Sequence, residues 1–160
     1  MRARIEKRIP KTGKAISIVF CATLAALFLL WVFLVARNLR GWRESPLLAQ
    51  LLPKTAKEKG IFVLLSVAAG FGEEVAYRGF LVPALTLLLG WSWGAALLSS
   101  VLFGLLHAYQ GWIGIFRTAF LGFVLAGSFI LTGVLWPAIL AHAILDVIAG
   151  LFLGETLVKE

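Results

Sequence analysis

Sulfur, imidazole and acidic charge are all scarce in this chain of 160 residues. Its one cysteine, Cys21, excludes an intrachain disulfide and leaves the redox environment unreadable. It has two histidines, a single aspartate (Asp146), and eight acidic residues against fifteen lysines and arginines. Charged residues make up 14% of the chain, against about 25% in an ordinary soluble domain. There is no internal repeat and no low-complexity linker. What abounds is apolar: 61% of residues are hydrophobic and the mean hydropathy is +0.95. A domain of this length cannot hide that much apolar surface in its own core, so lipid is the expected solvent. The basic residues gather in two blocks, "MRARIEKRIPKTGK" at the start and "RNLRGWRE…PKTAKEKG" across 37–60. Basic flanks beside apolar runs read as topology signals and contacts with anionic headgroups, not as a nucleic-acid surface.

A membrane-spanning helix needs roughly 20 apolar residues. Residues 15–36 meet that without a charge and read as a retained first span, too long for a signal-peptide core. Residues 37–59 form a polar connector, in which "SPLLAQLL" predicts a short interfacial helix with Pro46 in its first turn and Pro53 just past its end. The run 60–89 is longer than a bilayer requires and must tilt or break, with Gly79 and Pro83 as the break points. Further spans are predicted at 93–109, 112–131 and 134–153, separated by turns at "GWSWG" and "TGVLWP". The expectation is an all-α, polytopic transmembrane bundle of about five spans. Six lysines and arginines on each side of the first span leave its orientation undecided.

An ionisable side chain at the centre of a span costs about 2.5–3.5 kcal/mol on insertion scales. Glu73, Glu74, Arg78, His107, Arg117, His142 and Asp146 all fall within the apolar runs. Glu74 and Arg78 stand four apart, as do Phe103 and His107, and His142 and Asp146; each pair shares a helix face. Glu73 points about 100° from Glu74, free for another role. Each residue has a plainer reading: a structural Glu74–Arg78 pair, histidines that hydrogen-bond between helices, an Arg117 that snorkels to the headgroups. Those readings must meet each burial cost separately, whereas one shared site meets them together. Carboxylates and imidazoles in a low-dielectric cavity suit water activation, with a carboxylate as general base and a histidine holding the water or an oxyanion. Zinc held by His107, His142 and Glu74 or Asp146 suits the same residues. No serine sits in a nucleophile-elbow context.

"EEVAYR" (73–78) resembles the E-E-x-x-x-R motif of the CAAX-protease and bacteriocin-processing (CPBP, or Abi) family of intramembrane proteases. "FGLLH" (103–107) is similar to its F-x-x-x-H motif, and "HAILD" (142–146) to its H-x-x-x-N/D motif. The three motifs fall in order, each in its own apolar run, and the resemblance covers about 60–153. It implies two parts: a basic segment, first span and connector at 1–59, and a short-form protease core at 60–160. It implies an intramembrane endopeptidase in which Glu73 activates water with help from His107. In this resemblance His142 and Asp146 supply the remaining polar contacts, Glu74 supports or ligates, and Arg78 balances charge. Metal-free glutamate chemistry and a zinc-dependent route both stay open, so no cofactor is fixed. The expected surroundings are a bacterial or archaeal cell membrane and a membrane-anchored peptide or protein substrate, with no nucleic acid and an open oligomeric state. Two departures stand out: the chain is shorter than typical members, and Asp146 occupies a position where asparagine also occurs. Two rivals from other classes are a non-enzymatic bacteriocin-immunity protein and a small proton-coupled transporter subunit.

Overall fold

The structure, a computed structural model, describes residues 45–152. The predicted span at 15–36 lies outside them, as do 1–44 and 153–160. The described residues are helical throughout, without a strand.

The connector helix is present as α1, Pro46–Leu51, with its proline in the first turn and Ser45 accepting the Leu47 N–H at 3.3 Å. The next helix, α2 (Ala56–Glu74), opens with a reciprocal cap. Thr55 Oγ1 accepts the Glu58 N–H, while Glu58 Oε2 accepts from the backbone of Lys54 and Thr55. Two otherwise orphaned donors are thereby satisfied at the start of the helix.

The run from Ala56 to Leu89 does not break. It stays helical for 34 residues and absorbs the predicted disruption as a π-helical segment, Val75–Leu81, followed by α3, Val82–Leu89. Pro83 has no N–H to offer the carbonyl four residues back. Just before it, the Val82 N–H bonds Tyr77 O, five residues back, so the helix widens instead of kinking open. Gly90, in the left-handed conformation, ends α3.

Helix α4 (Ser92–Leu106) stops short of the predicted 109, and a 3₁₀ turn, Ala108–Gln110, leads into α5 (Gly111–Thr132). After a turn at Gly133 comes α6, Trp136–Leu151. Two stretches, Ala56–Leu89 and Ala108–Thr132, are long and apolar enough to cross a membrane, while α4 and α6 are shorter apolar helices.

Helix α4 packs along α5, and α2 along α6. Small residues bring these axes together, as is usual where lipid supplies no hydrophobic drive between helices. A Cβ on Gly104 of α4 would lie 2.5 Å from Ile115 O and 2.7 Å from Ala119 Cβ on α5. The buried core is mostly alanine: Val82, Ala95, Ala96 and Ala126 form one cluster, and Leu125, Ala138 and Ala141 another. The large apolar side chains point outward instead; Leu64, Phe80, Leu87, Leu88 and Trp112 are all exposed. An outer surface of this kind belongs against acyl chains. Trp91, Trp93 and Trp136 mark one end of the bundle and Trp112 the other, as interfacial anchors do.

Gly104→Val should force α4 and α5 apart and destabilise by about 1–3 kcal/mol, read as a lowered Tm in detergent. Gly60→Ala, whose added methyl meets nothing within 4 Å, should leave Tm unchanged or slightly raised. Equal Tm for both variants would contradict this packing.

Candidate functional site

Glu74 and Arg78 are fully buried where α2 passes into the π segment. Arg78 Nη1 donates to Glu74 Oε1 at 2.6 Å. The same oxygen lies 2.7 Å from Nδ1 of His142, on α6. Because Glu74 Oε1 is a carboxylate acceptor, the His142 Nδ1–H donates and Nε2 is turned the other way. Arg78 Nη2 donates to Gly122 O on α5 at 2.8 Å, and its guanidinium lies 4.8 Å from the centre of the Phe103 ring on α4. Gly122 is what permits this reach: a Cβ there would come within 3.1 Å of both Arg78 Nη2 and the Phe103 ring. One buried ion pair therefore touches α4, α5 and α6 at once.

Glu73, one residue earlier, faces elsewhere. Its Oε2 lies 3.8 Å from His142 Nε2 and 4.0 Å from His107 Nε2. That oxygen is buried and has no hydrogen-bond partner among the described residues. His107 is the C-cap of α4 and sets its Nδ1–H on Phe103 O at 2.7 Å, so its Nε2 also turns toward Glu73. Asp146 Oδ2 stands 3.6 Å from His142 Nε2. Phe103 lies against both imidazoles, with ring centres 4.5 Å from His107 and 5.9 Å from His142. These groups open onto a cavity of about 400 Å³, whose polar lining includes Glu73, His107, His142 and Asp146. Its apolar walls include Leu48 and Leu51 of α1 and Phe62 and Leu65 of α2.

Six of the seven ionisable residues singled out by sequence thus meet around one point, four at the cavity and two behind it. Glu73, His107, His142 and Asp146 line the cavity, while Glu74 and Arg78 sit behind them. Among the described residues, no three His, Cys, Asp or Glu side chains stand as a preformed metal cluster. The near oxygen of Glu74 is committed to Arg78 and His142. The atoms that would hold zinc are instead His107 Nε2, His142 Nε2 and a carboxylate oxygen of Glu73 or Asp146. Zinc ligands at about 2.0–2.1 Å stand roughly 3.4 Å from one another in a tetrahedron, so the Glu73–imidazole gaps would close by about half an ångström.

Arg117 departs from the expectation that it snorkels. It is 6% exposed, donates Nη2 to Gln110 Oε1 at 2.7 Å, and lines the same cavity. The seven-residue spacing from Gln110 to Arg117, two helical turns on one face, was the available sequence signal.

Paired carboxylates and imidazoles around a cavity inside an apolar helical bundle are suited to hydrolysis within a bilayer. The sequence profile of the Rce1-like type II CAAX prenyl endopeptidases matches residues 56–148, more than half of the chain and every residue of the site, and the chain belongs to that family. It is a family of membrane-embedded proteases, which makes this protein a protease acting in lipid on a membrane-associated protein. No curated protein and no solved structure gives a significant match to the chain.

Arg78→Met should strand the buried Glu74 carboxylate and cost about 3–5 kcal/mol, read from the SDS fraction that unfolds the protein. A loss well under 1 kcal/mol would mean the pair does not hold these helices together.

Proposed function

We propose that the protein is an intramembrane endopeptidase in which Glu73 and His107 activate a water for attack on a peptide carbonyl. The observation that carries this reading is Glu73 Oε2, a buried oxygen without a hydrogen-bond partner among the described residues and within 4.0 Å of two imidazole nitrogens on the cavity wall. A water seated between Glu73 Oε2 and His107 Nε2 gives its proton to the carboxylate as its oxygen attacks. His142, in its protonated form, presents Nε2–H to the developing oxyanion. Glu73 then returns the proton to the leaving amine, and the peptide bond is replaced by a carboxylic acid, which keeps the water's second hydrogen until it ionises, and an amine. An ionised Asp146 has no hydrogen to offer an oxyanion; its place beside His142 Nε2 is that of an orienting partner. Glu74 and Arg78 fix the His142 ring without touching substrate. Where zinc is bound by the cavity-facing atoms, it supplies Lewis-acid polarisation and a more acidic water.

The surrounding architecture in this reading is the five-span bundle, with the first span at 15–36 added to the family core at 60–160. The cavity opens toward the side that carries the connector, because α1 and the 3₁₀ turn stand at its wall and Ser45 N bonds Gln110 O at 3.3 Å. The substrate class follows the family's CAAX description: the C-terminal region of a lipid-anchored or membrane-anchored polypeptide.

Glu73→Gln should lower the rate of peptide hydrolysis by about 10²–10⁴-fold while the variant melts as the wild type does. Undiminished cleavage would remove Glu73 from the chemistry. In a Cys21→Ser background, Tyr109→Cys should react with a membrane-impermeant maleimide only from the face bearing residues 37–59. Labelling only from the opposite face would reverse the proposed opening.

A further inference from the structure

His107 is aimed by the chain that follows it as much as by its own helix. It closes α4 at φ −94° and ψ 18°, and the 3₁₀ turn Ala108–Gln110 carries the chain on. One ring nitrogen, Nδ1, is tied to Phe103 O at 2.7 Å; the other, Nε2, faces Glu73 at 4.0 Å and must stay open to hold a water. A ring held by a single hydrogen bond can pivot about it, so its neighbours have to fix its plane. The Phe103 ring stands 4.5 Å from it and the Tyr109 ring 5.7 Å, centre to centre. Phe103 is buried, but Tyr109 is exposed and needs a tether. Gln110 provides one: its Nε2 donates to Tyr109 Oη at 3.1 Å, while its Oε1 accepts from Arg117 Nη2 at 2.7 Å. Its backbone is equally engaged, the N–H bonding His107 O at 2.9 Å and the carbonyl accepting the Ser45 N–H at 3.3 Å. Gly114 leaves room for the side chain, since a Cβ there would collide with Gln110 Cβ.

We propose that Gln110, anchored by Arg117, is a positioning residue: it holds Tyr109 and the turn after His107 so that His107 Nε2 faces Glu73. Its consequence for catalysis rests on the endopeptidase reading above, in which those two groups seat the attacking water between them. Gln110 and Arg117 act through His107, not on the substrate. A guanidinium inside an apolar bundle is expensive. Arg117, at 6% exposure, has a reason to be there as the fixed point of a tether, with Gln110 among its partners. Its planar fork serves several acceptors at once, so further contacts of Arg117 stiffen the anchor. Both ends of the Gln110 amide are in use, Oε1 by a donor and Nε2 by an acceptor, which selects one orientation of the side chain. Small displacements matter here, because a misplacement of about 1 Å can cost roughly 10²-fold in rate.

The test reads ring placement and rate separately, on the full-length protein in nanodiscs. Nitrogen-15 labelling of histidine gives signals from two imidazoles, assigned with His107→Ala. Gln110→Leu keeps the side chain's size and removes both amide hydrogen bonds. It should move the His107 ring resonances and leave those of His142 in place. On a fluorogenic farnesylated peptide the same variant should lose about 10–100-fold in kcat while KM changes by less than about twofold. Gln110→Glu keeps an acceptor for Arg117 and for the Tyr109 hydroxyl, and should recover most of the rate. Should Gln110→Leu fail to fold, Tyr109→Phe removes only the far end of the tether. It should move the same His107 resonances and lower kcat by about 2–10-fold, the scale of one hydrogen bond. Unmoved His107 resonances overturn the assignment, as do equal shifts at both histidines, an unchanged kcat, or a loss confined to KM. A wild type that hydrolyses no peptide would sink the endopeptidase reading alone, and the ring resonances would still decide whether Gln110 holds His107.

Discussion

A single carboxylate oxygen, Glu74 Oε1, accepts from an arginine one turn along its own helix and from a histidine 68 residues away. Removing these charges from water costs several kilocalories per mole for each ion before any attraction is counted. The pair is worth keeping only if its geometry accomplishes something that apolar packing cannot. Here it aligns α2 with α6 and, through Arg78 Nη2 and Gly122 O, with α5. It also fixes the tautomer and direction of His142 by occupying Nδ1 with an acceptor. The rest of the site inherits its orientation from this contact: the aim of His142 Nε2, and with it the gap between that nitrogen and Glu73.

Neighbouring glutamates can take opposite roles because a helix turns about 100° per residue. Glu74 points into the bundle and is neutralised, while Glu73 points at the cavity and is left unpartnered among the described residues. The π segment begins at Val75, immediately after the pair, and carries Arg78. Widened turns of this kind are frequent at functional sites. Phe103 completes the arrangement from α4, packing against the guanidinium and both imidazoles while its own carbonyl holds His107. An aromatic ring at that junction keeps the charged groups close together and dry on their inner side.

The helices and the site were readable from sequence for different reasons. Apolar runs punctuated by Gly90, Gly133 and the paired prolines of the connector marked the described helices to within a few residues, because glycine ends and proline starts are local chemistry. Four-residue spacing and the price of charge in lipid picked out Glu73, Glu74, Arg78, His107, His142 and Asp146. Two features were hidden. The π segment arises from the conflict between Pro83 and an otherwise uninterrupted helix, and a run of hydropathy does not say whether such a conflict ends in a break or a bulge. The burial of Arg117 depends on how α5 faces the cavity, a tertiary fact that its nearness to the start of α5 concealed. The division of labour between Glu73 and Glu74 was legible in part: the four-residue step sets Glu74 against Arg78 and turns Glu73 away, while the meeting of Glu74 with His142 required the packing of α6.

The account depends on α2 and α6 meeting through Glu74 and His142, so a double-mutant cycle on that pair probes it most directly. Unfolding free energies in detergent would be compared for the wild type, Glu74→Gln, His142→Phe and the double variant. Residues sharing a buried hydrogen bond should show a coupling of at least about 1 kcal/mol. Additivity to within roughly 0.5 kcal/mol would mean that the two side chains do not meet and that the site as described does not exist.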